Sequence, residues 1–391
     1  MSHAIKTRTA YVTEYGAIVE AVQQRLVCPA PHPASRQQGD VRGRCTMRRL
    51  IPLSFAVAGL LLAGCSDVGL TPVQPEEIPT ATPDRKANTP VAPTAQLLAT
   101  LDGAFGSGVG PGGALFVTEP AAGRISRVDP KTGAVTTFAS GLPALPAVGG
   151  GVYDVAFIGQ TAYALVTAVG PDVGGSDVVG IYRVDGPNRF TIIADIGAFS
   201  IANPPETDFF VPTGVPFALE PFRGGFLVTD GHHNRVLYVT LDGEVTEFIA
   251  FGNVVPTGLA VSGNTIYMAE AGPVPHLPQD GRVVAFGPKS TTATAVASGA
   301  RLLVDVEFGR GRTLFALAQG VWAGVEAGDP ALPNTGALVR VNGDGTFTVV
   351  TGGLNRPISL EFIGDTAYVV SLTGEIWRVD NAAAPPFGVS R

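Results

Sequence analysis

From residue 95 onward the apolar positions fall into short runs separated by glycine-rich turns, and two kinds of run alternate. One kind is apolar on both faces, as in Ala114-Leu115-Phe116-Val117-Thr118-Glu119, Phe226-Leu227-Val228-Thr229-Asp230 and Thr265-Ile266-Tyr267-Met268-Ala269-Glu270. A strand with neighbours above and below has this character. The other kind alternates apolar with polar, as in Gly123-Arg124-Ile125-Ser126-Arg127-Val128-Asp129 and Gly374-Glu375-Ile376-Trp377-Arg378-Val379-Asp380. That is the period of a strand with one drier face. The first kind is centred at residues 116, 163, 227, 267, 315 and 368, each followed by one of the second kind. A shorter run precedes most of these pairs: Tyr153–Phe157, Val215–Ala218, Leu259–Val261, Val304–Phe308 and Ile358–Phe362. A fourth run follows: Val135–Ala139, Phe190–Ala194, Val245–Ala250, Ala293–Ala297 and Phe347–Thr351. Four strands per unit and a spacing of about 50 residues predict an all-β fold, a six-bladed β-propeller of four-stranded blades.

The ends of the pattern predict how the ring closes. The sixth unit stops at Asp380-Asn381 without a fourth strand, while Gln96-Leu97-Leu98-Ala99-Thr100-Leu101 stands alone before the first unit. This orphan is expected to complete the last blade and cover an otherwise open edge. The propeller is therefore assigned to residues 95–381, with 382–391 as a disordered tail.

Composition agrees with this pattern and removes alternatives. Gly (50) and Pro (32) are too frequent for a coiled coil, and they follow no three-residue period. Charged residues make up only 15%, against about a quarter in an average soluble domain, as expected where blade faces are buried on both sides. Three cysteines are too few for a disulfide scaffold. The net charge of −7 is uneven, with the segment from Cys65 onward at −12. An acidic body carries no footprint for nucleic acid or for anionic lipid surfaces.

The N-terminal part reads as an address. Met47-Arg48-Arg49 is basic, and Leu50–Leu62 is an apolar run that is short for a bilayer span but right for a signal-peptide core. The run ends in Leu62-Ala63-Gly64-Cys65, which resembles the lipobox of bacterial lipoproteins. The resemblance implies a lipoprotein signal peptide over 47–64, lipidation of Cys65, and an extracytoplasmic protein lipid-anchored to a bacterial membrane. Met47 supplies a start, so residues 1–46 are expected to be a mis-called, disordered extension. Residues 65–94, punctuated by Pro72, Pro75, Pro79, Pro83, Pro90 and Pro93, read as a tether that cannot bury a core.

The long connections are 167–179, 271–280 and 319–335 within blades and 197–212 between blades, and in a propeller they emerge on one face. Long loops inside compact domains are often functional, so a ligand-binding site is expected there, over the channel mouth. Glu119, Asp230 and Glu270 end the second strands, while Asp154 and Asp305 lie within innermost strands. These carboxylates could hold Ca²⁺ or simply cap turns, and no metal site is assigned. His232, His233 and His276 lie in loops of the same face and could supply a general base, although no nucleophile motif accompanies them. Trp322 could stack on a flat ligand or pack its loop.

Asp230-Gly231-His232-His233-Asn234-Arg235-Val236 resembles the core of an NHL repeat, a family in which Asp and Asn lock the turn. The wider layout is similar to the ScyD/ScyE family of secreted bacterial propellers. It carries Gly110-Pro111-Gly112-Gly113, Val211-Pro212-Thr213-Gly214-Val215 and Val255-Pro256-Thr257-Gly258-Leu259, with a degraded first strand at 105–109. This resemblance implies the fold and implies no catalytic residues. The sequence therefore supports a membrane-anchored binding scaffold, a monomer with a protein or small-molecule ligand on the long-loop face. The alternative is a lactonase-like, streptogramin-lyase-like or quinoprotein-like enzyme with its site at the channel mouth. No cofactor is named by the residues.

Overall fold

The computed structural model describes residues 91–324 and 328–389. The expected extension 1–46, the signal peptide 47–64 with Cys65, and nearly all of the tether 65–94 lie outside the described residues. The first strand, β1 (Thr94–Thr100), leads directly into six sheets.

Blade 1 contains β2 (Ser107–Val109), β3 (Leu115–Glu119), β4 (Arg124–Val128) and β5 (Val135–Ser140). Blade 2 contains β6 (Gly151–Ile158), β7 (Thr161–Thr167), β8 (Gly180–Gly186) and β9 (Arg189–Asp195). Blade 3 contains β10 (Pro216–Phe222), β11 (Gly225–Asp230), β12 (Arg235–Val239) and β13 (Val245–Ala250). Blade 4 contains β14 (Pro256–Ser262), β15 (Thr265–Glu270), β16 (Arg282–Phe286) and β17 (Thr294–Ser298). Blade 5 contains β18 (Leu303–Phe308), β19 (Leu314–Ala318), β20 (Gly336–Val341) and β21 (Phe347–Leu354). Blade 6 contains β22 (Pro357–Ile363), β23 (Thr366–Ser371) and β24 (Glu375–Asp380), and β1 completes it. All pairings are antiparallel, and the protein is an all-β six-bladed propeller.

The closing pair runs from Thr94 opposite Asp380 to Thr100 opposite Glu375. The Leu101 N–H continues the seam by donating to the Gly374 carbonyl at 2.8 Å. The second strands are sandwiched as their composition requires. All five residues of β3, all six of β11 and all five of β19 are buried.

Five of the six innermost strands carry a register shift near their starts: β6, β10, β14, β18 and β22. A bulge re-aims the next side chain, and Asp154 and Asp305 follow the shifts in β6 and β18. The sixth innermost strand, β2, has three residues, in keeping with its degraded sequence.

Two local expectations are corrected. Residues 382–389 form turns rather than a disordered tail. Ala382 and Ala383 are fully buried, and the Ala383 N–H donates to the Asp365 carbonyl at 3.0 Å. The connection after blade 2 is not all loop, because it contains α1 (Ile196–Ala202), the only α-helix among the described residues. Asp195 caps α1 by accepting from the Ala198 N–H at 2.7 Å. Among the described residues no helix is long and apolar enough to cross a membrane.

Candidate functional site

The polar residues expected on the long-loop face are mostly engaged by the fold. The acid ending each of three second strands stands directly opposite the first arginine of the third strand: Glu119 opposite Arg124, Asp230 opposite Arg235, Glu270 opposite Arg282. Arg124 grips both carboxylate oxygens of Glu119, with Nε to Oε1 at 2.8 Å, and the Ser126 hydroxyl donates to the same oxygen at 2.6 Å. Arg282 Nε donates to Glu270 Oε2 at 2.8 Å, although burial outweighs this pairing and raises the Glu270 carboxyl.

Asp230 is the hub of the NHL-like stretch. Its Oδ1 accepts from the Val215 N–H at 2.9 Å and the His233 N–H at 3.1 Å, and His233 Nδ1 lies 3.2 Å from Oδ2. Burial opposes its charge, yet His233 and these N–H groups hold the carboxyl below its usual range. Asn234 Oδ1 accepts from Val254 and Val255 at 3.0 and 2.9 Å and so ties blade 3 to the start of blade 4. The buried Arg235 reaches Asn203 O at 2.8 Å and Ser200 Oγ at 3.0 Å, which fixes α1 and the segment after it.

The histidines serve the same segment. His232 Nε2 accepts from the Phe210 and Val211 N–H groups at 2.9 and 3.0 Å, and burial lowers its pKa to about 4. A ring nitrogen already holding two backbone donors is not free to take a proton from a substrate. His233 Nε2 donates to the Val211 carbonyl at 2.9 Å. His276 is buried, contacts Ala271 O through Nδ1 at 3.2 Å and packs edge-on against Trp322 at 5.7 Å. Trp322 donates Nε1–H to Asp329 O at 3.0 Å, so it packs its own loop.

The cavity lies elsewhere, inside the channel. It measures about 300 Å³ and is lined by the innermost strands, not by the long loops. Phe105 and Phe217 stand at its long-loop end. Phe105 stacks on Tyr153 at 3.9 Å and meets Phe217 edge-on at 5.3 Å. Deeper in the channel are five carboxyls: Asp154, Glu220, Asp305, Glu307 and Glu361. Among the described residues no lysine, arginine or histidine lines the cavity with them.

Asp154 and Asp305 are brought into this one cavity, and each joins two blades. Asp154 accepts from the Leu219 N–H of blade 3 at 2.8 Å and from Val155 at 2.8 Å. Three blades further round, Asp305 accepts from the Leu360 N–H of blade 6 at 2.7 Å and from Val306 at 2.9 Å. The geometry repeats on the far side of each acid. A side chain on Gly106 of blade 1 would collide with Asp154, and one on Gly258 of blade 4 would collide with Asp305. Ser359 beside Asp305 also contacts Ser107 Oγ at 2.9 Å, joining blade 6 to blade 1.

Burial raises all five carboxyls. Asp305 is pushed up to about 7 and Glu307 to about 8 by loss of water, against the backbone N–H bonds that each accepts. Asp154, Glu220 and Glu361 lie well above the usual range for the same first reason. For Glu361 every further cause is another carboxylate: Glu307, Asp305, Asp154 and Glu220. Like charges crowded into one confined cavity resist ionising together, so protons are retained. Among the described residues no three His, Cys, Asp or Glu side chains form a metal-binding group. The calcium expectation for Asp154 and Asp305 therefore gains no third ligand, since their oxygens are turned to neighbouring backbone.

Glu220, Glu307 and Glu361 were not singled out from the sequence. Their signal was an acid inside an innermost strand, where a surface residue is not expected.

No family model and no curated protein matches the chain. Solved structures do. A gluconolactonase from Xanthomonas campestris superposes with a TM-score of 0.51 and 14% identity, over 73% of this chain and 89% of its own. A Bacteroides thetaiotaomicron protein of unknown function gives 0.50 and 10% identity, over 74% and 76%. Virginiamycin B lyase from Staphylococcus aureus gives 0.47 and 14%, over 74% and 98%. The gluconolactonase and the lyase are six-bladed propellers of the NHL-like and lactonase-like kind, and at such identities the likeness concerns the fold alone.

Proposed function

We propose that the protein is a membrane-anchored, extracytoplasmic binding scaffold whose ligand is a small molecule bearing a positive charge, held in the channel cavity. One observation carries this reading: five carboxyls from four blades converge on a cavity that has no basic side chain among the described residues. A cationic group would relieve their mutual repulsion and release their protons. The cavity is at the small end of the range for ligand pockets, which limits the ligand to a few heavy groups. The ScyD/ScyE-like layout and the lipobox-like Leu62-Ala63-Gly64-Cys65 support the address, with Cys65 as the lipidated residue.

Native mass spectrometry of the full chain purified from a bacterial host tests the binding. The expected result is a small-molecule adduct that is lost in Glu307→Gln/Glu361→Gln. An adduct that persists in that variant defeats the channel assignment. Labelling with radioactive palmitate tests the anchor separately: wild type incorporates it and Cys65→Ala does not.

The enzyme reading has one specific support. Carboxyls near 7 and 8, at Asp305 and Glu307, suit general acid chemistry at neutral pH. A lactonase- or lyase-like activity would then fall at least a hundredfold in Glu307→Gln. Failure of wild type to turn over lactone, cyclic-depsipeptide and aldose substrates removes it.

A further inference from the structure

The two faces of the ring differ in their connections and in their charge. The antiparallel seam fixes which face the chain enters. Thr94 lies opposite Asp380, at the end of β24 remote from the 372–374 connection that belongs to the long-loop face. Cys65 is 29 residues upstream of Thr94, so the chain reaches the body from the short-turn side. The long-loop connections carry Asp102, Asp172, Asp177, Glu206, Asp208, Asp280 and Asp329 against Arg301 and Arg356, with no lysine among the described residues, whereas the acids of the short turns, Asp129, Asp242, Glu244, Asp344 and Asp365, are matched by cations. Both lysines among the described residues, Lys131 and Lys289, lie in short turns, together with Arg189, Arg223, Arg310 and Arg312. All six of these side chains are exposed.

A shallow groove of about 440 Å³ lies between the turns of blades 3 and 4, lined by Arg223, Asn264, Gly287, Pro288, Lys289 and Ser290. The lining holds two cations, an amide and a hydroxyl, and no carboxylate. Arg223 is positioned in advance: its guanidinium lies 5.1 Å from the Phe222 ring centroid and donates Nη2–H to Asn264 Oδ1 at 2.7 Å. That bond fixes the Asn264 amide, leaving its NH₂ as a donor. Ser290 Oγ accepts from the Gly287 N–H at 2.9 Å, which leaves its O–H to donate as well. A groove whose side chains offer donors and no carboxylate, with a pre-set guanidinium, matches phosphate oxygens.

We propose that this groove is a phosphate site that seats anionic phospholipid headgroups, so that the propeller stands short-turn face down on the membrane. The orientation rests on the anchor reading above, whereas the donor groove does not. The full chain carrying Cys65→Ser, which cannot be acylated, is mixed with vesicles of phosphatidylcholine alone and of phosphatidylcholine with phosphatidylglycerol, then pelleted. The expected result is a salt-sensitive preference for the anionic vesicles that falls roughly fivefold with Arg223→Gln and again with Lys289→Gln. Arg301→Gln, on the long-loop face, leaves it unchanged, and matching melting curves confirm that each variant is folded. Absence of the preference, or a preference indifferent to both substitutions, overturns the proposal. Saturable calorimetric binding of inorganic phosphate without any vesicle preference also overturns it and assigns the groove to a soluble phosphate compound. Palmitate labelling that fails while the vesicle preference stands defeats the anchor and leaves the groove.

Discussion

Two sets of acids in this ring meet opposite fates. On the long-loop face Glu119, Asp230 and Glu270 each stand across the strand pair from an arginine. In the channel Asp154, Glu220, Asp305, Glu307 and Glu361 line one cavity that has no cation in its lining among the described residues. The first set trades hydration for ion pairs and turn hydrogen bonds, and its members are occupied in holding blades and loops. The second set has lost hydration without a partner of opposite charge, and its carboxyls are raised instead. A carboxylate in a propeller loop is therefore a poor guide to a site unless the residue opposite it in the register is known. An acid on an innermost strand is a better one.

The comparison breaks most visibly at Arg235. Arg235→Ala leaves Asp230 buried beside a histidine without its guanidinium, and it also frees α1. A loss of about 3–5 kcal/mol is expected in urea unfolding, and a loss below about 1 kcal/mol would show that the hub holds nothing.

The second contrast is in pH. A carboxyl whose folded pKa exceeds its unfolded value binds more protons in the native state, so stability is full below the unfolded value and is lost as pH rises through the folded one. With Asp305 near 7 and Glu307 near 8, the melting temperature should decline between about pH 4 and pH 8. Glu307→Gln/Glu361→Gln should flatten that decline and raise the melting temperature at pH 8. An unchanged slope would mean that the channel acids are hydrated and ordinary.

A smaller effect of opposite sign is expected at His232. Its folded pKa is lowered from 6.5 to about 4, so the unfolded chain takes a proton that the folded one refuses, and stability is lost as pH falls through that window. His232→Gln should remove this acid limb, which pH-dependent melting would detect. Smallest of all is Glu270→Gln. Its partner Arg282 keeps 39% of its side-chain surface although Glu270 itself is buried, and solvent screening at the exposed end holds the pair to about 1 kcal/mol. A larger loss would place Glu270 with Asp230 as a structural hub.

Much of the ring was legible because strand pattern and turn chemistry agree over six units. The closing strand and the degraded first strand of blade 1 were readable from residue order, and the resemblance to an NHL repeat implied the locking roles of Asp230 and Asn234. The channel was not. The pattern places the innermost strand of blade 3 at Val215–Ala218, whereas β10 continues to Phe222 with Pro221 opposite Phe226. Proline is tolerated there because an innermost strand is a sheet edge, where no ladder bond is lost. That extension carries Glu220 into the cavity. Nor can residue order show that Asp154 accepts from Leu219, 65 residues away, since the contact exists only once the ring has closed. The helix α1 was hidden for a related reason: a seven-residue stretch containing Gly197 has little intrinsic tendency to be helical, and it is held by Asp195 and by Arg235 of another blade.

The seam between β1 and β24 also sets a schedule. Thr94 leaves the ribosome long before its partner Asp380 exists. At the usual pace of about 5–20 residues per second, the wait is roughly 15 to 60 s. Throughout that interval the closing strand has no native mate, and blades 1 to 5 cannot be joined into a ring. Whatever keeps β1 from pairing wrongly in those seconds governs the yield of folded protein as much as any contact in the finished molecule.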